Sequence, residues 1–270
     1  MGKERFKRGK IHDVNMKIVI LRIDYSGVAD SGELCKLFDK NFPDAFRERN
    51  EYHNKEFNIQ FRKEDVETIR NTLSLPVGVI EKESVMRYQG LKQGGICDVI
   101  LDISKYYLCM TIKCNNNYDG LDNYIDKFKG AITLFKTKIP YFRPRRLGLR
   151  KVRVESKARI EEFQDIFEEH LFNRHIYGYK SPALLRKEFI DSFEITEFNY
   201  LRFNVRGLMY SGVTPDGDIQ YTSSLDIDAY YNEASLIKSD INRLITDANL
   251  QEFEVYKYCM NESYLESIYQ

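Results

Sequence analysis

Two short strings hold most of the residues in this chain that are suited to chemistry. In "SLDIDAYYNE", Asp226 and Asp228 alternate with apolar residues. On a β-strand that spacing puts both carboxylates on one face, about 7 Å apart. Two such carboxylates can share a hard cation when a third ligand and water complete its shell. In "FRPRRLGLRKVRVES", six cations surround one glycine. Read as a strand, it places Arg146, Gly148 and Arg150 on one face with Val152 and Val154. Arg143, Arg145, Leu147, Leu149, Lys151 and Arg153 take the other face. The planar fork of arginine suits carboxylate or phosphate. Gly148 between two guanidinium groups lets a backbone or a large ring come close. Arg146 and Arg150 are therefore either an anion grip or the counter-ions of Asp226 and Asp228. Arg143, Arg145, Lys151 and Arg153, with Tyr141 nearby, are candidate contacts to a phosphate or a nucleic-acid backbone. Leu147 and Leu149 interrupt that face and point to a core.

The strands that position these groups are legible. "Pro215-Asp216-Gly217" joins "FNYLRFNVRGLMYSGV" to "DIQYTSSLDIDAYY", and a three-residue loop with a left-handed Gly is a hairpin connector. Numbered outward from that loop, Arg206 falls opposite Asp226 and Asn204 opposite Asp228. Leu201, Phe203 and Val205 then share a face with Leu225, Ile227 and Ala229, so both strands agree on which side is buried. Cross-strand pairing of Arg206 with Asp226 is the expectation, and Arg146 and Arg150 complete the neutralisation if the two halves of the chain share a sheet. No metal ion is expected.

Elsewhere "MKIVILRIDY" reads as a buried strand, "SGELCKLFDKNF" as a helix capped by Ser31, and "EFNIQF" (56–61) as a strand. Three strands follow in 84–114. Long amphipathic helices are predicted over 119–138, where Leu121, Tyr124, Ile125, Phe128, Ile132 and Phe135 form one stripe, and over 158–172 and 233–247. A short helix follows Asn261. The stretch 62–83 has no clear period, and 173–195 is mixed, with a break at Pro182. Strands lie beside strands rather than alternating with helices. The expected fold is α+β, with antiparallel sheets, long amphipathic helices on one face, and two topologically similar lobes. The predicted organisation is a basic N-terminal tail (1–14), an N-terminal lobe (15–155) and a C-terminal lobe (156–270).

Lys plus Arg equals Asp plus Glu, 41 of each, so nothing pulls the whole chain toward nucleic acid or a membrane. No apolar run approaches the roughly 20 residues of a bilayer span. The basic N-terminus has no apolar stretch behind it, which argues against a secretory signal. Five scattered cysteines without paired spacing read as reduced thiols, and the expected compartment is the cytoplasm. His12, His53, His170 and His175 have no Ser or Cys elbow near them, and no phosphate-binding glycine loop is present. Metal-dependent hydrolysis would need Asp98 or Asp102 to converge on Asp226 and Asp228.

In "RRLGLRKVRV" and "SLDIDAYYNE" the chain resembles a sporadically distributed bacterial family of uncharacterised proteins about 250 residues long. Its members carry an Arg-(Ile/Leu)-Gly-Leu-Arg strand after a long helix and a Leu-Asp-(Ile/Leu)-Asp strand before the last long helix. Here these are Arg146 to Arg150 and Leu225 to Asp228. The resemblance runs from "KIVILRIDY" to the C-terminal helix and lacks only the family's proline-rich entry. It implies no activity. It does imply genes on mobile elements, in anti-phage defence and toxin–antitoxin neighbourhoods. The expectation is thus a non-enzymatic binding or regulatory subunit without a cofactor. Its partner would be a protein encoded nearby or a second copy of the chain. The alternatives are an RNA or single-stranded DNA binder using 143–153, and a metal-dependent phosphodiesterase using Asp226 and Asp228.

Overall fold

The computed structural model describes residues 3–11, 15–58, 78–168, 171, 186–236 and 239–269. Nine strands form one sheet: β1 (Met16–Ser26), β2 (Phe46–Asn58), β3 (Gly78–Leu91), β4 (Asp98–Ile103), β5 (Tyr107–Lys113), β6 (Arg143–Lys157), β7 (Arg186–Ile195), β8 (Leu201–Val213) and β9 (Ile219–Asn232). Their spatial order is β2-β3-β4-β5-β1-β6-β9-β8-β7, and every pairing is antiparallel. The helices are α1 (Ser31–Asn41), α2 (Asp126–Lys138), α3 (Glu233–Leu236), α4 (Ile241–Cys259) and α5 (Glu262–Ser267).

Period-two alternation sets the two faces of the sheet. Leu21 and Ile23 of β1, Leu108 and Met110 of β5, Leu147 and Leu149 of β6, Phe203 and Val205 of β8, and Ile227 and Ala229 of β9 are all buried. They form one core cluster with Phe38 of α1, Phe128 and Phe135 of α2, Leu236 of α3, Leu244 and Phe253 of α4, and Leu265 of α5. Among the described residues the five α-helices thus serve one face. Among the described residues the opposite face carries charged, polar and aromatic side chains together with aliphatic ones such as Ile18 and Ile20 of β1, Val152 of β6 and Ile190 of β7.

This overturns the expected α+β arrangement of two lobes with long helices. The cause is β6. One edge pairs with β1 from Met16 to Ser26 and the other with β9 from Tyr221 to Asn232. Both edges are used, so strands from the two halves merge into a single sheet, and the boundary expected at 155/156 falls inside this strand. The helices also differ in extent from what the apolar spacing suggests: two predicted segments are less helical than expected, while α4 runs on to Cys259, past the predicted end at 247. The predicted 158–172 helix contains a 3-10 turn, Ile160–Asp165, that seats Phe163, Ile166 and Phe167 in the core. The predicted 233–247 helix is broken at Ser239 and Asp240: the described residues form a helix over Glu233–Leu236 and another from Ile241, where the Asp240 carboxylate accepts from the Asn242 amide. The 119–138 segment opens as a 3-10 turn at Leu121–Asn123 and becomes α-helical only from Asp126. Apolar residues three and four apart can be buried by a short turn leaning on a sheet as well as by a long helix. The helix at 31–41 is capped by Asp30, which accepts from the Gly32 amide, not by Ser31. In the β8–β9 hairpin, the Thr214 amide donates to the Asp218 carbonyl and Gly217 has φ +90°, so the register is the expected one.

The N-terminal segment is docked rather than frayed. Phe6 is buried edge-on against Tyr269, with ring centroids 5.4 Å apart. Arg5 pairs with Glu262 and Glu266 of α5, Lys3 pairs with Glu168, and Ile11 forms a β-bridge with Tyr269. His12, His170, His175 and residues 59–77 lie outside the described residues.

Candidate functional site

β6 and β9 bring the two signature strings side by side, with Gly148 opposite Tyr230 and Arg150 opposite Asp228. The ion pairs run diagonally from that register, by one same-face step for Arg150 with Asp226 and by two for Arg146 with Asp228. Arg150 holds Asp226 with two parallel bonds, Nε to Oδ1 at 2.8 Å and Nη2 to Oδ2 at 2.6 Å. Arg146 reaches along the strand, past Gly148, to Asp228 Oδ2 at 2.7 Å, with its guanidinium 4.7 Å over the Tyr230 ring. A Cβ on Gly148 would stand 3.1 Å from Arg146 Nη1. The glycine therefore keeps open the lane in which the guanidinium lies, and Tyr230 supplies its far wall. The hydrogen bonds that Arg150 donates to Asp226 raise its pKa. Burial raises the Asp228 pKa from its ordinary value, against the pull of Arg146 and Arg150.

Arg206 does face Asp226 in the backbone register, but its side chain turns the other way. Its Nε lies 2.5 Å from Glu188 Oε1 on β7. The expected Arg206–Asp226 pair is therefore corrected: β6 supplies the cation for Asp226, and β7 supplies the anion for Arg206. Asp226 is claimed by the bidentate group, which is the stronger geometry.

The same construction recurs across the uncovered face. Arg22 of β1 donates to Asp24 at 2.6 Å and lies 4.2 Å over Tyr107. Arg87 of β3 holds both oxygens of Asp102 at 2.8 Å and lies 4.5 Å over Tyr52; these hydrogen bonds raise its pKa. Arg202 pairs with Glu194 at 2.7 Å. Asp24, Tyr52, Tyr107, Glu188 and Tyr230 were not singled out from the sequence. The available signal was an aromatic or acidic residue at the alternate positions of strands that also carry Arg.

The four candidate anion contacts are placed differently from expectation. Lys151 and Arg153 continue the Leu147–Leu149 face and are buried, at 1% and 5% exposure. Glu252 of α4, fully buried, accepts from Lys151 Nζ at 2.5 Å and from Arg153 Nη1 at 2.7 Å. The Arg153 guanidinium also lies 3.9 Å over the Tyr256 ring. Burial opposes the Glu252 charge, but Arg153 and Lys151 together pull its pKa below the carboxylate range. Arg143 and Arg145 share Glu233 at the start of α3. All four cations thus have a carboxylate beside them.

Asp98 and Asp102 sit on β4, and β5, β1 and β6 separate that strand from β9. Four inter-strand spacings amount to about 19 Å, so these carboxylates do not converge on Asp226 and Asp228. Among the described residues, no three His, Cys, Asp or Glu side chains are grouped to hold a metal ion. Burial pushes the Cys35 and Cys109 thiols up to about 11 and Cys259 up to about 12, which suits inert core thiols rather than nucleophiles. No known protein family, curated protein or solved structure matches the chain.

Proposed function

We propose that this chain is a non-enzymatic binding subunit that docks a protein partner on the uncovered face of its sheet. The observation that carries this reading is the threefold Arg–carboxylate–Tyr construction: Arg22 with Asp24 and Tyr107, Arg87 with Asp102 and Tyr52, and Arg146 with Asp228 and Tyr230. Each arginine is already neutralised and held in place. The face therefore presents rigid, half-exposed Arg and Tyr side chains without excess charge. Arg and Tyr are enriched at protein interfaces, and holding them in place beforehand reduces the entropy lost on docking. Ile190, 69% exposed on β7 of the same face, adds an apolar contact. A nucleic-acid partner would instead call for cations with unspent charge, and the cations of 143–153 stand beside Glu233, Glu252, Asp226 and Asp228.

The resemblance to a bacterial family in defence and toxin–antitoxin neighbourhoods makes the product of an adjacent gene the first partner to test. The experiment is reconstitution of a complex from separately purified chains, with Ile190→Asp and Arg150→Ala as variants. The expected result is a stoichiometric complex by analytical ultracentrifugation that both variants weaken. Metal-dependent nuclease activity of the purified chain that disappears in Asp226→Ala would refute the proposal. So would a salt-sensitive shift with single-stranded RNA that Arg150→Ala abolishes.

A further inference from the structure

The open end of the β4–β5 hairpin carries two cysteines. The hairpin register pairs Val99 with Ile112 and Asp98 with Lys113. One step further, the same register sets Cys97 opposite Cys114. Val99 and Ile112, two residues away on each strand, are buried. Alternation therefore brings both thiols out on the helix-bearing side of the sheet, away from the docking face.

The backbone shows what kind of pair this is. The Cys114 amide donates to the Lys17 carbonyl of β1 at 2.9 Å, and the Cys97 amide donates to the Tyr124 hydroxyl at 3.0 Å. Neither N–H points across the pair. In an antiparallel ladder such a pair is the closer kind, with Cα atoms about 4.5 Å apart. That spacing falls within the roughly 4.4–6.8 Å over which a disulfide can bridge two Cα atoms. The side chains agree. Cys97 Sγ lies 3.9 Å from the Cys114 carbonyl oxygen and 3.3 Å from that of Asn117. Cys114 Sγ lies 3.5 Å from the Ile112 carbonyl oxygen.

The loop before β4 is seated closely. A side chain on Gly95 would run into the Asp119 carboxylate and the Tyr124 hydroxyl, which are hydrogen-bonded to each other. Cys97 is thus held beside β5 from both ends of the loop. It is half-buried, Ile96 next to it is 75% exposed, and Cys114 is buried. A reagent in solution reaches Cys97 first, and Cys114 is reached from within the protein. The other cysteines are placed differently. Cys35 and Cys259 lie on α1 and α4, and Cys109 stands opposite Asp102 and Arg22.

We propose that Cys97 and Cys114 are a reactive thiol pair that a low-molecular-weight disulfide closes to an intrachain disulfide. Cys97 loses its proton to solvent, and its thiolate attacks one sulfur of the reagent. A mixed disulfide forms and the first reagent thiolate leaves. The Cys114 thiolate then attacks the Cys97 sulfur and displaces the second. Two protein thiols are oxidised and the reagent is reduced to two thiols, which take up the two protons released. Both cysteine side chains turn from their carbonyl neighbours toward each other. The new bond ties the start of β4 to the loop that leads into α2.

The test is incubation of the folded, full-length chain with oxidised glutathione, quenching with an alkylating agent, and peptide mapping by mass spectrometry without reductant. The expected product is a linked pair of peptides holding Cys97 and Cys114. In Cys114→Ser the reaction should halt at glutathione on Cys97, and in Cys97→Ser Cys114 should stay unmodified. Closing the ring should move the urea midpoint of the wild type upward, because it restricts the unfolded chain. The same treatment should not move that of Cys97→Ser. Thermal unfolding of the reduced variants checks their folding, and the wild-type map decides the question where a variant does not fold. Absence of the Cys97–Cys114 link in the wild type would overturn the proposal. So would glutathione that persists on Cys97 while Cys114 stays reduced, or a link from Cys97 to a different cysteine.

Discussion

Replacing Glu252 with Gln keeps the shape of the side chain and removes the one anion that Lys151 and Arg153 share. The carboxylate is fully buried and makes bonds of 2.5 and 2.7 Å to cations whose side chains are 2% and 6% exposed. Breaking a buried ion pair by removing one partner costs about 3–5 kcal/mol, because the other charge is left in a poor solvent. The acid–base argument gives a similar figure. A carboxyl held at about 2 rather than 4.5 adds about 3 kcal/mol of stability at neutral pH. Either value is a large share of the roughly 5–15 kcal/mol that holds a typical domain together. The sign follows from the depressed pKa. This stability is fully present above pH 4.5 and is lost as the pH falls toward 2, because the unfolded chain takes up the proton first. Urea unfolding of the two proteins, followed by circular dichroism from pH 7 down to pH 3, measures the gap. It should be about 3 kcal/mol at pH 7 and narrow steadily as the pH falls through 4.5. A gap below about 1 kcal/mol at pH 7, the size of an exposed pair, or one that does not change with pH, would refute the reasoning.

The Gly148 lane predicts a change of sign in a mutant cycle. In the wild-type background Gly148→Ala crowds the Arg146 guanidinium, 3.1 Å from the new Cβ, and should be neutral or destabilising. In the Arg146→Ala background the crowding is gone, and the same change should stabilise by about 0.5–1 kcal/mol, the ordinary gain of Ala over Gly inside a strand. Equal effects in the two backgrounds, measured by urea unfolding, would show that the glycine has another purpose. Cys35 and Cys259 are buried, with thiols pushed up to about 11 and about 12. Iodoacetamide at pH 8 should therefore leave them unmodified in the native protein and label them after denaturation, as read by peptide mass spectrometry. Rapid native labelling of either thiol would contradict the packing of α1 or α4.

The sequence disclosed the strand pairings better than it disclosed the architecture, and the physics accounts for the difference. Register in the β8–β9 hairpin follows from a turn and an alternation that both lie within a few residues of each other, so Arg206 opposite Asp226 could be read directly. Merging two lobes into one sheet depends on both edges of β6 being paired, and edge pairing leaves no mark on the identity of a residue. The Arg206 side chain was misassigned for the same reason. Its actual partner, Glu188, lies on β7, in a stretch with no clear period. The Arg146 and Arg150 pairings with Asp228 and Asp226 were legible because complementary charges stood on facing strands.

Lys151 and Arg153 show how a signal can be present and still be misread. Along β6 the buried face runs Leu147, Leu149, Lys151, Arg153, so two cations occupy positions where alternation calls for apolar groups. Along α4 the buried stripe includes Ile241, Leu244, Ile245, Ala248, Glu252, Phe253 and Tyr256, so an acid interrupts an otherwise apolar helix face. Each interruption alone suggests a surface residue, and the cations were read that way. Taken together they are complementary defects in two faces that must both be buried. Such groups are tolerated in a core when they meet. Matching charge defects on buried faces about a hundred residues apart thus locates the buried Lys151–Glu252–Arg153 cluster in the sequence, which neither strand nor helix pattern reveals alone.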